Sequence, residues 1–172
     1  MGSVNVRIDE DVRWHPRTAR AAGMTHTWVA NWTGEGILAL VDDAQAEGWD
    51  CTVIGYLPNS LTASDSTAAQ LQSCGVTVAN KRVEGAAAFG SVTDRIERST
   101  RDNTVKADQR PLLLLVGEFA LGALNHAESD ALDRIAFLGR GAGVHLAVNE
   151  SLRPKTSWVF QDQVLSSYGG RN

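Results

Sequence analysis

Cysteine and proline are scarce in this chain, with two cysteines and four prolines in 172 residues. Two thiols alone build neither a structural zinc site nor a disulfide framework. Cys51 and Cys74, in segments that read as a buried strand and a helix end, are expected as reduced, buried thiols. The few prolines, with 43% hydrophobic and 21% charged residues, exclude the disordered and collagen-like classes. Long apolar runs are missing too. None approaches the roughly 18 to 20 residues that span a bilayer, and residues 1–20 carry charges where a signal peptide would be apolar. A cytoplasmic protein without a membrane segment is expected. Nor is there an excess of positive charge, since 16 basic against 20 acidic residues leave a net −4. Arg7, Arg13, Arg17 and Arg20 form a local basic cluster, but Asp9, Glu10 and Asp11 oppose it. Duplex DNA should therefore bind weakly, or only to an assembly that repeats the patch.

What is present is a pattern of strands and helices along one core-sized chain, read as a single domain over residues 1–172. Val4, Val6 and Ile8 alternate with polar residues before an acidic turn, which predicts an N-terminal β-hairpin at about 3–14. Residues 26–31 read as a strand, broken by Thr33-Gly34-Glu35-Gly36 and followed by a helix over 37–47. The unit recurs as a strand at 51–56, a helix over 60–73 that ends at Gly75, and a strand at 75–79. A helix over 85–103 places Phe89, Val92 and Ile96 on one face. Five consecutive apolar residues, Leu112 to Val116, then mark a strand buried on both faces at the centre of a parallel sheet. A helix over 129–140, a strand at 143–148 and a last strand at 157–160 complete the reading. The alternation predicts an α/β fold with a mostly parallel sheet and helices on both faces. Ligands in such folds sit at the strand C-terminal ends, so the loops at 31–36, 55–59, 117–119 and 149–153 are the places to look.

Three segments carry a further signal: Asn31-Trp32-Thr33-Gly34-Glu35-Gly36-Ile37-Leu38, then Gly117-Glu118-Phe119-Ala120, then the stretch from Arg140 to Ala147 with Gly143-Val144-His145-Leu146 inside it. In this order they resemble the motor domain of the FtsK/SpoIIIE family, which includes DNA translocases and the EccC-type secretion ATPases. The resemblance covers nearly the whole chain and implies a RecA-like P-loop fold. It places a phosphate loop at residues 31–38, a metal-side motif at 117–120, and a γ-phosphate sensor near Asn149. It also implies ring-like assembly, in which Arg140 or Arg153 could face a neighbour.

The departures from the family pattern decide the expected function. A phosphate loop turns backbone N–H groups toward phosphate, reaches the β/γ-phosphates with a lysine, and holds Mg²⁺ with a Ser/Thr hydroxyl. By the resemblance, Ile37 occupies the lysine position, Leu38 the hydroxyl position, Asn31 the first glycine and Gly117 the metal acid, while Glu118 stands as a vestige of the water-activating glutamate. A triphosphate deprived of those cations, with Glu35 nearby, loses the electrostatic stabilisation on which phosphoryl transfer depends. The expectation is a pseudo-ATPase with no metal and no cofactor, in a structural or regulatory role beside an active FtsK-like ATPase or its own copies. The alternative is an enzyme or small-molecule binder that reuses the strand-end cleft through Asn31, Glu35, Glu118, Asn149 and Glu150. An active motor would need a lysine from elsewhere, such as Lys81 or Lys155. Trp32 could fill the emptied loop or anchor a partner. His26 and His145 are expected as hydrogen-bonded core residues, and Gly139-x-Gly141-x-Gly143 as a helix-to-strand turn.

Overall fold

Among the described residues, stretches rich in β-branched and aliphatic residues form β1 (Thr27–Ala30), β2 (Asp50–Ile54), β3 (Thr77–Ala79), β4 (Leu112–Val116) and β5 (Val144–Asn149), and the polar segment Gln161–Val164 forms a sixth strand, β6. Between them lie α1 (Gly34–Ala46), α2 (Thr67–Ser73), α3 (Arg82–Arg101) and α4 (His126–Leu138). The computed structural model describes residues 26–30, 32–55, 57, 66–101, 110–118, 124–155 and 161–164. The predicted hairpin at 3–14 lies outside the described residues.

The strands form one sheet in the order β3-β2-β4-β5-β1-β6, and every pair is parallel. Parallel neighbours demand crossovers, which the four helices supply on both faces. Ile37, Leu40, Val41 and Ala44 of α1 and Leu71 of α2 pack with Val53, Leu113 and Leu115 on one face. Phe89, Val92 and Ile96 of α3 and Leu132 and Ile135 of α4 pack with Ile54, Leu112, Leu114 and Val116 on the other. Successive β4 side chains thus enter opposite clusters, and all five are buried. This is the double burial that the unbroken leucine run implies.

Capping shifts several boundaries from those expected. α1 begins three residues early because Thr33 caps it, its hydroxyl accepting from the Gly36 N–H at 3.1 Å. α4 likewise begins at His126, three residues before position 129, because Asn125 and Glu128 form a reciprocal capping box. It also ends at Leu138, where a 3₁₀ turn over Gly139–Ala142 leads to Gly143 at φ 71° and on into β5. α3 runs over Arg82–Arg101. The last described strand is Gln161–Val164, paired with β1, while the strand predicted at 157–160 lies outside the described residues. Cys51 is buried, but Cys74 is exposed, contrary to expectation, because it is the C-cap residue at the open end of α2.

Candidate functional site

The parallel register brings the predicted motifs to one edge. Val29 of β1 pairs with Asn149 of β5, and Val148 pairs with Val116 of β4, so the loop after β1, the end of β5 and the Gly117-Glu118 pair after β4 all lie at neighbouring strand C-termini. The ladder runs on past the strand ends, because Gly117 N–H donates to Ile54 O at 2.8 Å and Gly55 N–H to Ala79 O at 2.9 Å.

In the loop after β1, α1 starts at Gly34 and turns its first amides onto Thr33. Gly36 N–H donates to Thr33 Oγ1 and Ile37 N–H to Thr33 O, the latter at 3.0 Å. A helix N-terminus binds an anion through N–H groups left without partners; here the Gly36 N–H is already satisfied by the Thr33 cap, and the Ile37 N–H makes the first regular bond of the helix. Ile37, expected from the resemblance at the lysine position, is fully buried in the α1 cluster, and Leu38 packs partly buried against the same cluster. Glu35 occupies the first turn of α1, where its charge suits the helix dipole and opposes a phosphate.

Trp32 and Gly117 meet. A Cβ built on Gly117 would lie 3.3 Å from Cε2, Cζ2 and Nε1 of the Trp32 indole. The two positions therefore fit each other, with a ring lying where a side chain at 117 would begin. Glu118 is half-buried beside this contact and Glu150 is exposed. The Asn149 side chain accepts from Ser151 N–H at 3.2 Å, which fixes it over the turn that follows β5. Asn31, Phe119 and Ala120 lie outside the described residues. Among the described residues no group of three or more His, Cys, Asp or Glu side chains could hold a metal ion.

Other candidates are placed elsewhere. Lys81 follows β3, four strands from β1 in the sheet, roughly 19 Å at the usual strand spacing, which is well beyond a lysine's reach. Arg140 lies in the turn entering β5, at the opposite end of the sheet, and is exposed. His26 is a structural residue, whose Nδ1 accepts from Leu146 N–H at 3.0 Å while Nε2 meets Ala136 O at 3.0 Å. The neutral ring carrying its proton on Nε2 suits both contacts, and burial pushes the pKa down to about 4 against the weaker opposing effect of the Ala136 carbonyl. His145 is buried and lies against Trp49, with ring centroids 4.4 Å apart.

Sequence reasoning missed Glu128, whose side chain is buried at the N-terminus of α4. It accepts from Asn125 N–H at 2.7 Å, and its Oε1 lies 3.5 Å from Arg82 Nη1 at the start of α3. The Asn-x-x-Glu spacing was the available signal. No described helix is long and apolar enough to cross a membrane. Compared with known protein families, with curated proteins and with solved structures, the chain matches none of them.

Proposed function

We propose that this chain is a catalytically inactive FtsK/SpoIIIE-like domain, a pseudo-ATPase of RecA-like P-loop ancestry that serves as a structural or regulatory partner of an active translocase or secretion motor. The observation that carries the reading is the Trp32 indole seated on Gly117. In an active site of this kind the space between the loop and the metal-side motif holds phosphate and Mg²⁺. Here an aromatic ring borders it, and Ile37 stands where the family has its lysine.

Two further observations support the reading. The loop after β1, the Gly117-Glu118 pair and Asn149 share one sheet edge, the juxtaposition that a phosphate loop, a metal-side motif and a sensor require. The Gly36 amide is capped by Thr33 and Ile37 is buried in the core. A triphosphate carries close to four negative charges, which need a lysine, a metal and converging amides. The edge offers Glu35, Glu118 and Glu150 instead.

The test is steady-state ATP turnover by the wild-type chain and by the triple variant Ile37→Lys, Leu38→Ser, Gly117→Asp. Neither should hydrolyse ATP above background, because Trp32 and the Thr33 cap still shape the loop. Rapid Mg²⁺-dependent turnover by the wild type would contradict the proposal. Turnover by the triple variant alone would show that the loop geometry is intact and that the missing side chains alone account for inactivity.

A further inference from the structure

On the α3 face of the sheet, away from the strand ends, a cleft of about 500 Å³ opens beside the edge strand β3. This lies within the range of small-ligand sites. Its floor is apolar, formed by Ala79, Ala88, Val92 and Leu112, all of them buried or nearly so. Two charged residues line it, Glu84 in the first turn of α3 and Arg95 further along the same helix, roughly 16 Å apart along the axis at 1.5 Å per residue.

Arg95 is the unusual member. Its guanidinium is fixed by two carbonyls, Nε donating to Ala142 O at 3.2 Å and Nη2 to Arg110 O at 2.5 Å. No carboxylate lies within ion-pair distance of it among the described residues. The carboxylate that acts on it most, Asp50, is paired with Arg110 at 3.6 Å. A half-buried cation held in place by neutral acceptors retains N–H groups and uncompensated charge. Burial holds its pKa below the ordinary arginine value, which agrees with that picture.

We propose that this cleft binds a small aliphatic monocarboxylic acid, its carboxylate on Arg95 and its hydrocarbon chain over Ala79, Ala88, Val92 and Leu112. The guanidinium fork matches a carboxylate, and the floor matches a chain without polar groups. Glu84 at the far end disfavours a second negative group, which selects a monoanion over a dicarboxylate. This site is independent of the degenerate phosphate loop, so neither proposal stands or falls with the other.

Octanoate is the probe, titrated into the full chain and followed by calorimetry and by amide chemical shifts, with octan-1-ol, octylamine and the dicarboxylate suberate as comparisons. One saturable octanoate site is expected, with binding at least tenfold weaker for each comparison compound. Arg95→Met should weaken octanoate at least tenfold. Ser91→Trp changes an exposed α3 residue that lines the cleft, so it should block binding without removing a buried contact. It decides the matter if loss of the Arg95 carbonyl contacts unfolds the first variant. No saturable binding up to about 10 mM octanoate, equal binding of octan-1-ol, or octanoate binding unaffected by Ser91→Trp would overturn the proposal.

Discussion

Gly117→Ala probes the contact between Trp32 and the end of β4. The backbone there does not require glycine, since Gly117 is not among the glycines with positive φ. Any cost must come from the neighbouring ring. The new Cβ would stand 3.3 Å from three indole atoms of Trp32, a few tenths of an ångström inside ordinary contact. Overpacking of that size costs about 1 to 2 kcal/mol, or roughly 2 to 8 °C in Tm for a chain of this length. Trp32→Ala removes the ring and its packing on the α1 cluster, for about 1 to 3 kcal/mol. In that background Gly117→Ala should cost almost nothing, so the double-mutant coupling is about 1 to 2 kcal/mol. Urea unfolding followed by far-ultraviolet circular dichroism measures all four proteins without relying on tryptophan emission. Gly55→Ala is the control: Gly55 has φ 109°, and its added Cβ would fall 2.3 Å from Gly117 O, so it should destabilise both backgrounds alike. Additive costs for Trp32→Ala and Gly117→Ala, within about 0.5 kcal/mol, would rule out a tight fit between ring and glycine.

Acid should weaken the fold through His26, whose pKa lies near 4 in the folded chain and near 6.5 in an unstructured peptide. The unfolded chain binds that proton first, so stability is full above pH 6.5 and falls toward pH 4, by about 3 kcal/mol at 1.36 kcal/mol per unit. Comparing urea unfolding of the wild type and His26→Gln between pH 7 and 4.5 isolates this contribution, and equal pH slopes would contradict it. Thiol labelling with a disulfide reagent at pH 8 should modify Cys74 at once, because it is exposed. Cys51 should react only on unfolding, since burial and then Asp50 push its pKa up to about 12. Two equally fast thiols would show that Cys51 is not enclosed.

Much of the sheet was legible in the sequence because burial on both faces leaves an unbroken apolar record. Leu112 to Val116 announced β4, and the spacing of Phe89, Val92 and Ile96 announced the inner face of α3. Helix starts were less legible, since Thr33 and Asn125 define them by hydrogen bonds that look like loop residues until the partner amide is known. β6 went unrecognised because Gln161-Asp162-Gln163-Val164 has neither alternation nor an apolar run; its pairing with β1 is a long-range property. The candidate edge was readable as a set of motif departures. That Trp32 rests on Gly117 was not, because the fit depends on two chain segments meeting across β5. The fixed position of Arg95 was not legible, since its acceptors, Ala142 O and Arg110 O, come from distant segments.

Everything proposed for the loop edge requires that it does not bind nucleotide. Isothermal titration of ATP and ADP, each with and without Mg²⁺, measures this without an intermediate assumption, and thermal melts of the same samples give a second readout. No saturable heat and no change in Tm are expected at millimolar nucleotide. A micromolar dissociation constant would raise stability by about 4 kcal/mol at a thousandfold excess. Such binding, accompanied by the matching rise in Tm, would contradict the proposal.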